Sequence, residues 1–219
     1  MARSEFVKVS QEFNLLSSYD NSLFFTLLLT SFHGLMQLGE ITWPDKTNLQ
    51  DYRKVIMRNF VHIDPKSFQF VLPGHKADHF FEGSLIIIQS TDLADDPYRP
   101  FVSYLSQRDH RFPLHPQLWL KENGMVPTWP WFLQHLHKRF VGNVSRHSLR
   151  AGGATALAET GIPPHMIQTI GRWSSDAFQI YICRHPVLLA ALIYVSGHHH
   201  NHFLSSLHAP LSLTNNYAT

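Results

Sequence analysis

Residues 22–38 read SLFFTLLLTSFHGLMQL, and this run constrains the fold of the chain more than any other stretch. A helix that is apolar on every side has to be buried, because no face of it is suited to water. The stretch from Leu23 to Leu38 is interrupted by Thr26, Thr30, Ser31 and His33. It therefore falls short of the roughly 20 apolar residues that span a bilayer. The pattern predicts a helix over 22–38, capped by Asp20 or Asn21, at the centre of a folded core rather than in a membrane. A chain of 219 residues can supply the shell that such a helix needs, as one generous domain or two small ones. With 44% hydrophobic and 13% aromatic residues it has the makeup of a globular protein, not of a disordered one.

The formal net charge of +2 gives no long-range attraction for nucleic acid, so any such binding has to rest on local charge. The sixteen histidines make the total charge sensitive to mild acid. The single cysteine, Cys183, excludes an intrachain disulfide and a cysteine-based zinc knuckle. Residues 1–8 show no apolar run followed by a small-residue cleavage site, so no secretory signal is expected.

The surrounding pattern is of mixed type. SFQFVLP (67–73) and SLIIIQS (84–90) are short β-leaning runs joined by GHKADHFFEG, which predicts a two-strand hairpin. A helix is expected from about Arg99, then an irregular connection over 110–127 punctuated by Pro113, Pro116, Gly124 and Pro127. Helical segments follow at 128–140, 146–160, 163–171, 174–183 and 186–195. These elements define a mainly α, α+β fold with one small antiparallel sheet. The expected organisation is an N-terminal extension over 1–20, a domain over 21–196, and a His-rich flexible tail over 197–219. Trp119, Trp129 and Trp131 are expected as core anchors.

The stretch RHSLRAGGAT, residues 146–155, concentrates chemistry. His147 and Arg150 are three apart and share one face near a helix start. A helix start offers free N–H groups, and a guanidinium adds a planar fork of donors, so the pair suits a phosphate better than a metal. Gly152 and Gly153 cost about 1 kcal/mol each against alanine in a helix. Such a pair implies close approach of something to the backbone, either a ligand such as DNA or a neighbouring helix. An ordinary surface pair beside packing glycines fits this segment equally well.

Beyond it the chain continues with Gly171-Arg172-Trp173 and then Tyr181. The ordered set His147-x-x-Arg150, Gly171, Trp173 and Tyr181 resembles the catalytic domain of the tyrosine recombinases, the phage-integrase family. HSLRAGGAT and GRWSSDAF are most similar to recombinase-like domains of eukaryotic, notably fungal, mobile elements. The resemblance implies breaking and rejoining of double-stranded DNA through a 3′-phosphotyrosine on Tyr181, without metal or other cofactor. By that analogy Arg150 holds nonbridging oxygens, His147 donates or relays a proton, Trp173 buttresses the phosphate, and Lys76 on the hairpin turn protonates the leaving oxygen. Arg146, Arg172, Gly152 and Gly153 are the further candidates for contact with the DNA phosphate.

Two departures from the family pattern stand out. The family's first arginine falls in a context like that of HGLMQLGEIT (33–42), where this chain has Gln37. Glutamine donates hydrogen bonds but carries no charge and no bidentate fork. Loss of one preorganised donor commonly costs on the order of 10²–10³ in rate, so an impaired enzyme and a noncatalytic DNA-binding remnant are both open readings. The other departure is that only 36 residues precede Gln37, too few for the family's usual core-binding domain. The resemblance further implies nuclear residence and assembly of copies on DNA through 186–195. The run GHHHNHF (197–203) could take up a transition metal adventitiously, and a histidine-ligated metal hydrolase is a much weaker third reading.

Overall fold

The computed structural model describes residues 3–12, 18–74, 83–140, 147–175 and 178. The elements in order are α1 (Arg3–Glu12), α2 (Tyr19–His33), α3 (Leu38–Ile41), β1 (His62–Asp64), β2 (Ser67–Leu72), β3 (Ser84–Gln89), α4 (Tyr98–Arg111), α5 (Trp129–Arg139), α6 (Ser148–Glu159) and α7 (Pro164–Gly171). The mainly helical α+β architecture with one small antiparallel sheet is the one the sequence predicts.

Helix α2 is the axis. Every residue from Ser22 to Phe32 is buried, with α4 and α6 packed against it. Two of its polar side chains are absorbed locally: the Thr26 hydroxyl contacts the carbonyls of Ser22 (2.8 Å) and Pro100 (3.1 Å), and Ser31 donates to Leu27 (2.6 Å), while the buried Thr30 hydroxyl has no partner among the described residues. Such back-bonding lets a hydroxyl enter an apolar core without an unpaired donor. The helix is shorter than the expected 22–38. It ends at Gly34, and Leu35 takes a left-handed backbone with φ of 49°. The chain then re-enters a four-residue helix, α3, so Gln37 lies in a turn and not within a long helix.

The sheet has the order β1-β2-β3, antiparallel throughout, with Phe68 opposite Ile88 and Phe70 opposite Ile86. The expected hairpin is present, and β1 is an additional strand that three residues of mixed character did not announce. Phe68, Phe70, Leu72, Ile86 and Ile88 turn inward, and Phe68 stacks on Phe101 of α4 at 3.7 Å between ring centroids. Trp119 is buried, and Trp129 and Trp131 pack against the same core, as expected.

The connection over 112–128 is irregular, as its prolines predict. One buried side chain holds much of it: the Arg108 guanidinium donates to the carbonyls of Gln117 (2.7 Å), Phe112 (3.1 Å) and His115. Arg108 is 1% exposed and acts as a hydrogen-bond hub for backbone that lacks a ladder of its own.

Residues 3–12 form a helix that contacts α6 and is pinned by Arg3, whose Nε donates to Asp95 at 2.9 Å. Helix α2 begins at Tyr19, so the domain boundary expected after residue 20 falls inside an element. The Asp95 side chain is fully buried between Arg3 and His33. Burial opposes its charge, but the hydrogen bonds from His33 and Arg3 prevail and hold the carboxyl at about 2. Its pKa is depressed on folding, so its contribution to stability is complete above about pH 4 and is lost as pH falls toward 2. Asp95→Asn should cost about 1–3 kcal/mol in urea denaturation at pH 7. It should also flatten the loss of stability between about pH 4 and 2. An unchanged acid profile would refute the assignment.

Gly153 on α6 abuts α2: a Cβ there would collide with the Phe32 carbonyl oxygen and lie 2.6 Å from Leu35 Cδ2. Because backbone cannot step aside, Gly153→Ala should destabilise by about 1–3 kcal/mol, despite alanine's better helix propensity. Stability at or above that of the wild type would contradict this crossing.

Candidate active site

Helix α6 begins at Ser148 with His147 as its N-cap residue, exposed to solvent. Arg150, one turn on, is 8% exposed. Its guanidinium donates to the carbonyl of Gly171 and lies 4.2 Å from the centroid of the Trp173 ring. A cation over an indole is held by the ring quadrupole as well as by packing. Three of the residues singled out by the sequence are thus in mutual contact, and His147 stands at the exposed start of the same helix.

Gly171 is explained by this contact. The Trp173 ring lies directly over its Cα, so any Cβ would occupy the space of the indole. Trp173 in turn packs on Phe178, with ring centroids 5.7 Å apart, beside a small core of Leu35, Ala154 and Ile167.

The structure places Arg172 differently from the expectation. It ends α7 in a left-handed conformation, φ 58°, and its side chain turns inward. The guanidinium donates to Ile170 O (3.0 Å), Gly34 O and Leu35 O (both 3.3 Å), and to Glu40 Oε2 (3.1 Å). Its side chain is 10% exposed and paired with Glu40, so in this structure the guanidinium is engaged within the protein. Gly153, likewise, makes room for α2 rather than for a ligand, and Gly152 is buried.

Gln37 stands at the N-cap of α3, where its backbone N–H donates to Glu40 Oε2 at 2.8 Å. The Arg172–Glu40 pair therefore bridges the Gln37 turn to the turn that carries Gly171 and Trp173. Glu40 and the inward role of Arg172 escaped the sequence reading. The available signal was the spacing of Gln37 and Glu40, which is that of a reciprocal N-terminal cap. Lys76, Arg146, Tyr181, the segments 174–183 and 186–195 beyond Phe178, and the His-rich tail lie outside the described residues.

Among the described residues no cluster of three or more histidine, cysteine, aspartate or glutamate side chains could hold a metal. No helix among them is long and apolar enough to cross a membrane.

No known protein family matches the sequence, and no curated protein matches it. The fold does have known counterparts. A XerA recombinase superposes with a TM-score of 0.61 at 13% identity, over 88% of this chain and 60% of that one. A XerH site-specific recombinase bound to palindromic difH substrate in a post-cleavage complex gives 0.57 at 13% identity, over 81% and 46%. The XerH pre-cleavage complex with difH gives 0.56 at 14% identity, over 81% and 47%. The chain thus has a tyrosine-recombinase fold, and it spans about half the length of the XerH recombinase.

Gly171→Ala tests the geometry of the site. The obstructed group is a side chain able to swing away, so the variant should stay folded and lose less stability than Gly153→Ala. It should expel the indole, with a red shift in the Trp173 emission obtained by subtracting a Trp173→Phe spectrum. An unaltered Trp173 emission would show that the ring does not cover residue 171.

Proposed function

We propose that this chain is the catalytic part of a DNA strand-breaking and rejoining enzyme that uses Tyr181 as nucleophile. The observation that carries the reading is the direct contact of Arg150, Gly171 and Trp173 on a recombinase fold, with His147 exposed at the start of α6. In this reading the Tyr181 hydroxyl passes its proton to His147 as its oxygen attacks a DNA phosphorus and forms the P–O bond of a 3′-phosphotyrosine. The bond from phosphorus to the 5′ oxygen breaks, and Lys76 gives that oxygen a proton. Arg150, held by the Gly171 carbonyl and the Trp173 ring, stabilises the charge that develops on the nonbridging oxygens. Rejoining reverses the step with another 5′-hydroxyl. The substrate is double-stranded DNA, and 186–195 would serve as the contact between copies assembled on it. An origin in a mobile element and action in the nucleus complete the proposal.

Gln37 favours a second reading, a noncatalytic DNA-binding domain. The neutral side chain leaves one side of the phosphate without its cation, and two other arginines, Arg108 and Arg172, are engaged within the protein. Binding would then depend on few phosphate contacts and weaken as salt rises.

The two readings separate on a nicked duplex that traps the covalent intermediate. Denaturing electrophoresis should show a slow adduct that Tyr181→Phe abolishes. Gln37→Arg should accelerate it by about 10²-fold, the size of a restored transition-state donor. Salt-sensitive duplex binding with no Tyr181-dependent adduct would establish the second reading, and absence of duplex binding at low salt would overturn both.

A further inference from the structure

Among the described residues, two that are not glycine adopt left-handed backbone, Leu35 with φ 49° and Arg172 with φ 58°. They lie 137 positions apart in sequence and touch, the Arg172 guanidinium donating to the Leu35 carbonyl at 3.3 Å. A left-handed conformation strains an ordinary residue, and such strain persists only where the surroundings over-determine it. Here the same guanidinium also takes the carbonyls of Gly34 and Ile170, while Glu40 supplies the counter-charge. Glu40 Oε2 accepts from both Arg172 and the backbone N–H of Gln37, which ties the α2–α3 turn to the end of α7. The neighbours on either side of Arg172 are the two residues that fix Arg150, through the Gly171 carbonyl and the Trp173 ring.

We propose that Arg172, with Glu40, is a positioning residue: it clamps the Gly171–Trp173 turn to the Gln37 turn and so sets the orientation of the Arg150 guanidinium. It acts without touching substrate. A lysine in its place could meet Glu40, but it has no planar fork with which to bridge the carbonyls of Gly34, Leu35 and Ile170 at once. The part of the proposal that concerns catalysis rests on the recombinase reading; the clamp itself does not.

The test therefore has two arms. Without DNA, acrylamide quenching of Trp173 emission, isolated by subtraction of Trp173→Phe, is compared in wild type, Arg172→Ala, Arg172→Lys and Glu40→Gln. Quenching should rise in all three variants, least in Arg172→Lys, and far-UV circular dichroism identifies which remain folded. Native quenching in a folded Glu40→Gln or Arg172→Lys protein overturns the clamp, even if Arg172→Ala fails to fold. With the nicked duplex, folded variants should form adduct about 10²-fold more slowly, the scale of a misplaced group, at nearly unchanged duplex affinity. Adduct formation at the wild-type rate with a displaced Trp173 would overturn the positioning role. If the wild type forms no adduct, the recombinase reading fails, and the quenching arm still decides the clamp.

Discussion

The close crossing of α6 over α2 at Gly153 is the contact on which the other features of the site depend. A side chain at that point would meet the Phe32 carbonyl, so the two helices approach at a distance that only glycine permits. The approach brings Arg150 over the end of α7, beside the turn that terminates α2. Leu35, just beyond that terminus, contributes to the small core with Ala154, Ile167 and Phe178. Widening the crossing by one methyl group would therefore move the arginine, the turn beneath it and the core behind it together.

Among the described residues, three arginines that are buried or nearly so hold distant backbone. Arg108 gathers the irregular segment after α4, Arg150 binds the end of α7, and Arg172 joins two strained turns. Each replaces a ladder of regular hydrogen bonds by a planar donor with several directions.

The central helix, the paired strands β2 and β3 and helices α5 to α7 were legible because hydrophobic patterning and Gly/Pro punctuation report them directly. The break in the apolar run after His33 was not, since a positive φ at Leu35 is imposed by tertiary contacts and leaves no residue-type signal. Strand β1 was too short for alternation to register. In the site, the association of Arg150, Gly171 and Trp173 followed from their order in the chain. The inward turn of Arg172 did not, because an arginine between a glycine and a tryptophan reads as an exposed cation until its carboxylate partner is known. Gly153 was ambiguous for a related reason: sequence shows that a Cβ is excluded but not what excludes it.

In the proposed function the exposed start of α6, backed by Arg150 and Trp173, seats a DNA phosphodiester. A crystal structure of the Tyr181→Phe protein on a nicked duplex tests it most directly. The account predicts a backbone phosphate within hydrogen-bonding distance of Arg150 and His147, with Arg172 still paired to Glu40 and facing away from the DNA. A duplex bound on another face, with no phosphate near α6, would contradict it.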